Sequence, residues 1–257
     1  MSQIEFFPLL RNRESPKENH IKIYRKKLVE EYFRRARILQ EKQTFYPINT
    51  ESLFCGSLYG LLAANENYKN QMSAYNLLIE QGLDNPQSIL KQLEQFEGII
   101  LKTMYPFQRA RRMVGFCEWW EGSDLPEEIV KDALADRKRE FELRNKLTDA
   151  PGVGLKTASL ILNTAGYQNV VPIDRWVIRF LYGRGLIKND PTQRGEDKSG
   201  GISKGIFLEC EKKLIEEARK MNVSPLEYQL AVWCAHSRYK GIPDEQLEIP
   251  MSRSSNL

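Results

Sequence analysis

Histidine and cysteine are scarce in this 257-residue chain. The two histidines, His20 and His236, are too few to favour a histidine-based metal site or catalytic triad. The four cysteines lie far apart and form no CxxC pair, which argues against a zinc ribbon and against a disulfide framework. We therefore expect reduced, mostly buried thiols, and any chemistry must depend on lysine, carboxylate or backbone groups.

Long apolar runs are also missing. No stretch approaches the ~18 uninterrupted apolar residues that a membrane span requires. The first 20 residues lack the basic start, apolar core and small-residue cleavage site of a secretory signal. Apolar residues make up 41% and charged residues 28%, which is typical of a folded domain. We therefore expect a cytoplasmic or nuclear protein that is not secreted.

Positive charge is concentrated in two stretches, although the net charge is only +4. Residues 21–42 contain eight lysines and arginines against three glutamates, and residues 101–112 contain four basic residues and no acid. Such stretches suit a polyanion such as nucleic acid. The alternative interpretation is a solvated helix face, and charge alone does not distinguish the two.

Apolar residues recur with helical spacing along most of the chain, and no alternating run of β-branched residues predicts a strand. In residues 21–42, for example, Ile23, Leu28, Tyr32 and Ile38 lie among charged residues, as in an amphipathic helix. The sequence therefore predicts an all-α fold. The predicted helices are 21–42, 51–64, 70–81, 86–97, 106–120, 126–136, 138–147, 154–165, 174–183, 205–221 and 224–238.

Residues 151–154, with the sequence Pro-Gly-Val-Gly, predict a tight hairpin between a helix that ends near Leu147 and one that begins near Gly154. Two glycines here leave backbone N–H groups uncovered where the second helix begins. The first-turn amides of a helix are unpaired and the dipole there is positive, so this turn can bind an anion such as a phosphodiester. The turn alone is weak evidence, because glycines also serve simply to reverse a chain.

The run PGVGLKTASLILNTAG, followed by VPIDRWVIRFL, resembles the central segment of the helix-hairpin-helix DNA glycosylase superfamily, which includes endonuclease III and the 8-oxoguanine glycosylases. The similarity covers about residues 50–240. Asn65 after LLAA, the segment at 173–175 and the segment VSPLEYQLAVW are more similar to the archaeal-type 8-oxoguanine DNA glycosylase/AP lyases. Residues 236–241 resemble the start of the iron–sulfur motif of endonuclease III, but residues 241–257 contain no cysteine, so no iron–sulfur cluster is implied.

The resemblance implies an all-α fold of two lobes, with the active site in the cleft between them. One lobe would span residues 50–173 and end in the hairpin, and the other would combine residues 21–49 with 174–241. Residues 188–204 are polar and glycine-rich and are interpreted as a mobile loop. Residues 1–20 are interpreted as a flexible N-terminus and residues 242–257 as a tail.

The resemblance also implies the site residues. Lys156 and Asp174, 18 residues apart, occupy the two catalytic positions of the family. Asp174 is also well placed to be the N-cap of the next helix, which is compatible with catalysis. Several further residues are expected to contact DNA: Asn65, Gly152, Val153, Gly154, Thr157 and Arg175. An aromatic platform for a flipped base has three candidates: Phe54, Trp233 and Tyr239. The backbone carbonyls of Thr148, Ala150 and Val153 are candidates to hold a sodium or potassium ion, and no other cofactor is implied.

The predicted function is excision of a damaged base from duplex DNA through a lysine Schiff base, followed by strand cleavage by β-elimination. The target base must leave the stack, so a side chain is needed to fill the gap, and Asn65 is the candidate. The preferred lesion is an oxidised purine such as 8-oxoguanine, with an oxidised pyrimidine as the alternative. A glycosylase that uses water and a non-catalytic DNA-binding module are further alternatives. The expected partner is double-stranded DNA with a damaged base or an abasic site, bound by a monomer.

Overall fold

The computed structural model describes the backbone of residues 18–64, 66–188 and 202–236, and side chains within these ranges from residue 30 to residue 235. These residues form twelve α-helices and no strand, so the prediction of an all-α fold is confirmed. The helices are α1 Glu18–Gln43, α2 Thr50–Leu62, α3 Tyr68–Glu80, α4 Pro86–Lys91, α5 Leu93–Ile100, α6 Pro106–Glu121, α7 Leu125–Leu134, α8 Glu140–Leu147, α9 Leu155–Thr164, α10 Arg175–Gly183, α11 Lys204–Met221 and α12 Pro225–His236. None of these helices is long and apolar enough to cross a membrane.

Polar caps and prolines determine where several helices begin. The side chains of Asn49, Asn67 and Asn85 each accept a backbone N–H bond from the first turn of the helix that follows, which satisfies a donor that the helix itself leaves unpaired. Helices α4, α6 and α7 carry a proline in the first turn, where its missing N–H costs nothing. These signals are local and can be recognised in the sequence.

The predicted helix 86–97 is wrong in one respect, because it is two helices. Gln92 has φ −125° and ψ 46°, outside the helical region, and separates α4 from α5. The backbone N–H of Gln92 donates to the carbonyls of Ser88 and Ile89, which closes α4 with a tighter turn. The apolar periodicity continues across this break, so the sequence pattern does not reveal it.

The chain divides into two compact units. The larger contains residues 42–172, and the smaller contains the described residues up to Glu41 together with those from Ile173 onward. Residues 42–49 therefore belong with the larger unit, whereas the predicted lobes divide at residues 49 and 173. Most of the predicted loop 188–204 and of the predicted N-terminus 1–20, and all of the predicted tail 242–257, lie outside the described residues.

The core of the larger unit brings α2 and α9 into close contact. A Cβ atom on Gly56 would lie 2.0 Å from Oγ1 and 2.7 Å from Cβ of Thr164, so only glycine allows this approach. One turn later, a Cβ on Gly60 would lie 3.2 Å from Cγ1 of Ile161. Residues four apart share one helix face, so α2 presents a small-residue surface against which α9 packs. This contact holds in place the helix whose first turn contains Lys156.

The smaller unit packs α1, α10 and α12 around aromatic rings. The ring of Tyr228 lies 6.3 Å from that of Phe33 and 6.1 Å from that of Phe180, measured between centroids. Arg184 and Glu217 form a largely buried ion pair at 3.1 Å in the same unit. The start of α10, which carries Asp174, is therefore anchored by an apolar core of its own.

Candidate active site at the helix-hairpin-helix

The predicted hairpin is present between α8 and α9. Gly152 has φ +80°, a left-handed conformation that glycine adopts without strain, and the N–H of Val153 donates to the carbonyl of Ala150 at 3.1 Å. Gly154 is extended and is the N-cap residue of α9, with no side chain capping the helix. The first-turn amides of α9 therefore meet no capping group from a side chain, which leaves a positive helix end available to an anion.

Helix α6 supports the hairpin from one side. A Cβ on Gly152 would lie 2.8 Å from Cβ and 3.3 Å from Cγ of Arg112, so the stem of Arg112 lies directly on this glycine. A Cβ on Gly115 would lie 3.3 Å from Cβ of Pro151. Arg112 is exposed, so its guanidinium adds positive charge beside the hairpin.

Lys156 is the second residue of α9 and is half-buried. Among the described residues it forms no ion pair. Thr157, the next residue, is buried, so its backbone amide rather than its hydroxyl is the group that the hairpin offers. An amine with no carboxylate partner beside uncapped first-turn amides can serve as a nucleophile or can contact a phosphate, and the geometry is compatible with both.

Asp174 is the N-cap of α10, as its local sequence indicates. Its Oδ1 accepts the backbone N–H groups of Trp176 and Val177, both at 2.9 Å. The carboxylate is half-buried and is held rigidly by its own helix. Arg175, the first residue of α10, is exposed.

Five of the predicted residues lie in the hairpin and the first turn of α9, in the larger unit: Gly152, Val153, Gly154, Lys156 and Thr157. Asp174 and Arg175 begin α10 in the smaller unit. Asn65 and Tyr239 lie outside the described residues.

The candidates for the aromatic platform differ in accessibility. Phe54 is only 1% exposed, and its ring contacts those of Phe116 and Trp120 at centroid distances of 6.3 Å and 5.2 Å. A ring packed on all sides in the core has no free face for a base, so Phe54 is removed from the predicted pocket. Trp233 is half-buried on α12 and is compatible with a role there.

The basic stretch 101–112 divides into two parts that the sequence does not distinguish. Arg109 points into the larger unit and is 7% exposed, whereas Arg111 and Arg112 are exposed. Burial lowers the pKa of the Arg109 guanidinium, and the nearby Glu66 carboxylate opposes that shift. Arg109 precedes the buried Met113 by four residues and Phe116 by seven, and this helical spacing was the available signal in the sequence.

Within the described part of the chain, no three histidine, cysteine, aspartate or glutamate side chains lie close enough together to hold a metal ion. The four cysteines are free and buried, which confirms the expectation of buried thiols.

Two helices joined by a Pro-Gly-Val-Gly hairpin, in an all-helical chain with Lys156 after the turn and Asp174 at the next helix, define a helix-hairpin-helix DNA glycosylase fold. Residues 34–223 match the 8-oxoguanine DNA glycosylase family, known as Ogg-HhH. The chain belongs to this family, which confirms the similarity predicted from the hairpin segment.

Curated relatives agree with this assignment, and solved structures have a similar fold. The chain is 29% identical over 206 residues to an 8-oxoguanine DNA glycosylase/AP lyase of Saccharolobus islandicus, covering 77% of this chain and 90% of the relative. It is 27% identical over 189 residues to the enzyme of that name from Aquifex aeolicus, covering 70% and 74%. The 8-oxoguanine DNA glycosylase of Methanocaldococcus jannaschii has a similar fold, with a TM-score of 0.58, 21% identity and coverage of 82% and 87%. A structure of the glycosylase/lyase of that organism in complex with a 15mer DNA containing 8-oxoguanine has a TM-score of 0.57, 19% identity and coverage of 94% and 98%.

Proposed function

We propose that this protein is a DNA N-glycosylase/AP lyase that removes 8-oxoguanine from duplex DNA and cleaves the strand at the resulting abasic site. The observation that carries the proposal is the placement of Lys156 in the first turn of α9, directly after a hairpin whose helix has no side-chain cap. The hairpin amides can hold a backbone phosphate without reading sequence, and the lysine amine lies two residues further on. Membership of the 8-oxoguanine DNA glycosylase family supports the choice of reaction and substrate.

The proposed reaction uses the amine of Lys156 as nucleophile. The nitrogen attacks C1′ of the flipped nucleotide, the N-glycosidic bond breaks, and the base leaves. Loss of the amine proton and opening of the sugar give a Schiff base between lysine and C1′. Removal of a proton from C2′ then expels the 3′ phosphate by β-elimination, and water releases the enzyme by hydrolysing the imine. A glycosylase that uses water forms no covalent intermediate, which distinguishes the two mechanisms.

We assign Asp174 a role at the same sugar. Positive charge develops on the sugar as the glycosidic bond breaks, so a fixed carboxylate lowers the energy of the transition state. The same group can accept the proton that the amine of Lys156 loses. The two backbone N–H bonds to Oδ1 support this assignment because they fix the carboxylate before substrate binds. We expect Arg175, beside it, to contact the DNA backbone.

Extraction of the base leaves a gap that the protein must fill. We propose Asn65 for this role together with the loop at residues 101–105, whose Met104 amide donates to the side chain of Glu66, the residue after Asn65. Met104 is 49% exposed and Tyr105 is 61% exposed, so both side chains are accessible to a ligand at the surface. Trp233 and Tyr239 remain our candidates for the surface on which the extruded base stacks.

We also propose that an alkali cation can bind at the hairpin. In the described structure, the carbonyls of Thr148 and Val153 accept no hydrogen bond, and the carbonyl of Ala150 accepts one from Val153. A carbonyl oxygen has two lone pairs, so all three fit the donor set that sodium or potassium requires. A bound cation would add positive charge to the anion site. No other cofactor is proposed.

Borohydride trapping on a duplex with one abasic site tests the proposal. Borohydride reduces a Schiff base to a stable amine, so the native protein should become covalently linked to the DNA. Lys156→Gln should give no adduct while it binds the same duplex with an affinity close to native. A matched control is Lys146→Gln, because Lys146 is a helical lysine of the same unit that pairs with Glu128 instead. This control should form the adduct normally.

The other hypotheses make different predictions in the same assay. If the native protein binds the duplex but yields no adduct, the lyase mechanism is wrong. Release of 8-oxoguanine without an adduct would then indicate a glycosylase that uses water, and no release would indicate a DNA-binding module. A lesion duplex with an oxidised pyrimidine distinguishes the endonuclease III-like alternative. We further propose that one protein molecule binds each duplex, which sedimentation of the complex can measure.

A further inference from the structure

Arg109 is a buried cation whose contacts are almost all with backbone oxygens. Its guanidinium donates to the carbonyls of Leu62 and Ala64, at 2.5 Å and 2.8 Å, at the end of α2. Its Nε donates to the carbonyl of Met104 at 3.2 Å. One side chain therefore joins the turn after α2 to the loop before α6. Burying a charge is costly unless each donor finds a partner. The buried position of Arg109 therefore depends on these carbonyls remaining where they are.

Glu66 joins the same two segments from the other side. Its side chain is fully buried and lies 3.6 Å from the Arg109 guanidinium. One carboxylate oxygen accepts the N–H of Met104 at 2.6 Å, and the other accepts the N–H of Asn67 at 3.1 Å. Ala64 and Glu66 are thus both tied to the loop that ends at Tyr105, the first by the Arg109 cation and the second by its own carboxylate.

The linked loop is strained and exposed. Tyr105 has φ +52°, a left-handed conformation that costs a side-chain-bearing residue energy and persists only when its surroundings enforce it. The neighbouring apolar side chains Met104 and Phe107 are 49% and 80% exposed. Strain held in place by a buried ion pair, beneath an exposed apolar surface, is typical of a segment arranged to contact a partner.

We infer that Arg109 is a positioning residue that fixes Ala64 and Glu66 against the loop 101–105, so that they form one rigid surface for the space left by the flipped base. The inference rests on the proposed function, because that space exists only when a base leaves the duplex. Arg109 itself contacts neither the base nor the sugar. Its guanidinium fork reaches carbonyls on both segments at once, which the single ammonium group of lysine cannot reproduce.

The test compares two substrates with native protein, Arg109→Lys and Arg109→Met. The first substrate is a duplex with 8-oxoguanine, where a gap must be filled. The second is a single strand with an abasic site, where no base stack has to be opened. Arg109→Met should slow single-turnover excision from the duplex by about 10- to 100-fold, the range that misplacement of a positioning group produces. Cleavage of the single strand by Arg109→Met should remain within about twofold of native. On the duplex, the excision rate of Arg109→Lys should lie between those of the native protein and Arg109→Met.

Two further variants separate positioning from stability. Arg184→Met removes the cation of a largely buried pair in the smaller unit, so it should lower stability. It should not change the ratio of the duplex excision rate to the single-strand cleavage rate. Glu66→Gln retains an acceptor for the Met104 amide but loses the charge, and it should reduce that ratio even if Arg109→Met does not fold. The fluorescence of 2-aminopurine beside the lesion should show reduced base flipping by Arg109→Met and by Glu66→Gln. Equal losses on both substrates would overturn the inference, whereas a native protein inactive on both would instead refute the proposed function.

Discussion

The contact between α2 and α9 makes Gly56→Ala the most informative stability test. The added methyl carbon would lie 2.0 Å from Oγ1 and 2.7 Å from Cβ of Thr164. Both atoms belong to a short, branched side chain that is buried in the same core, so neither can swing away. Helices α2 and α9 must therefore separate, which moves the helix whose first turn contains Lys156.

The expected loss follows from two opposing effects. Alanine stabilises a helix relative to glycine by about 0.5–1 kcal/mol. Overpacking a close-packed core costs typically about 1–3 kcal/mol, and contacts this short place Gly56→Ala toward the upper end. We therefore expect a net loss of about 1–2 kcal/mol, or a fall in Tm of roughly 2–8 °C for a chain of this size.

Gly98→Ala is the matched control. Gly98 lies in α5 of the same unit, is exposed, and has no atom within 4 Å of the position of an added Cβ. Only the helix preference should operate there, so Gly98→Ala should gain about 0.5–1 kcal/mol. Urea unfolding of the native protein and both variants measures the two changes, and borohydride trapping on abasic DNA reports the displacement of Lys156. If Gly56→Ala is as stable as Gly98→Ala, the close approach of α2 to α9 is refuted.

Two further predictions concern charge and thiol reactivity. Arg112→Gln should make the negative slope of log affinity against log salt for duplex DNA less steep by about 0.9, the change expected for one lost phosphate contact. An unchanged slope would show that this arginine does not contact a phosphate of the DNA. Burial raises the pKa of the thiols to about 11 for Cys210 and about 12 for Cys55, Cys117 and Cys234. The thiolate is the reactive form, so a thiol reagent at pH 8 should label none of them until the protein unfolds, and rapid labelling of the native protein would contradict their burial.

Local signals in the sequence determined most of the helices and the chemical centre. The hairpin depends on glycines within four residues, and its nucleophile candidate follows two residues later, so neighbouring residues alone specify the arrangement. Asp174 could likewise be predicted as an N-cap from the apolar helix that follows it. These features are set by backbone hydrogen bonding over one or two turns, which short-range sequence encodes directly.

The tertiary structure decided what each side chain faces. Phe54 and Trp233 are both aromatic residues on apolar helices, yet Phe54 is enclosed by rings of α6 and Trp233 is half-buried. Arg109 and Arg112 belong to one basic stretch, yet Arg109 points inward to carbonyls of a distant turn and Arg112 lies on the hairpin. Burial depends on elements that are remote in the sequence, such as α2, α6 and the hairpin at residues 151–154. Composition and periodicity cannot supply those long-range contacts, so only the packed fold distinguishes a structural arginine from one that is available to DNA.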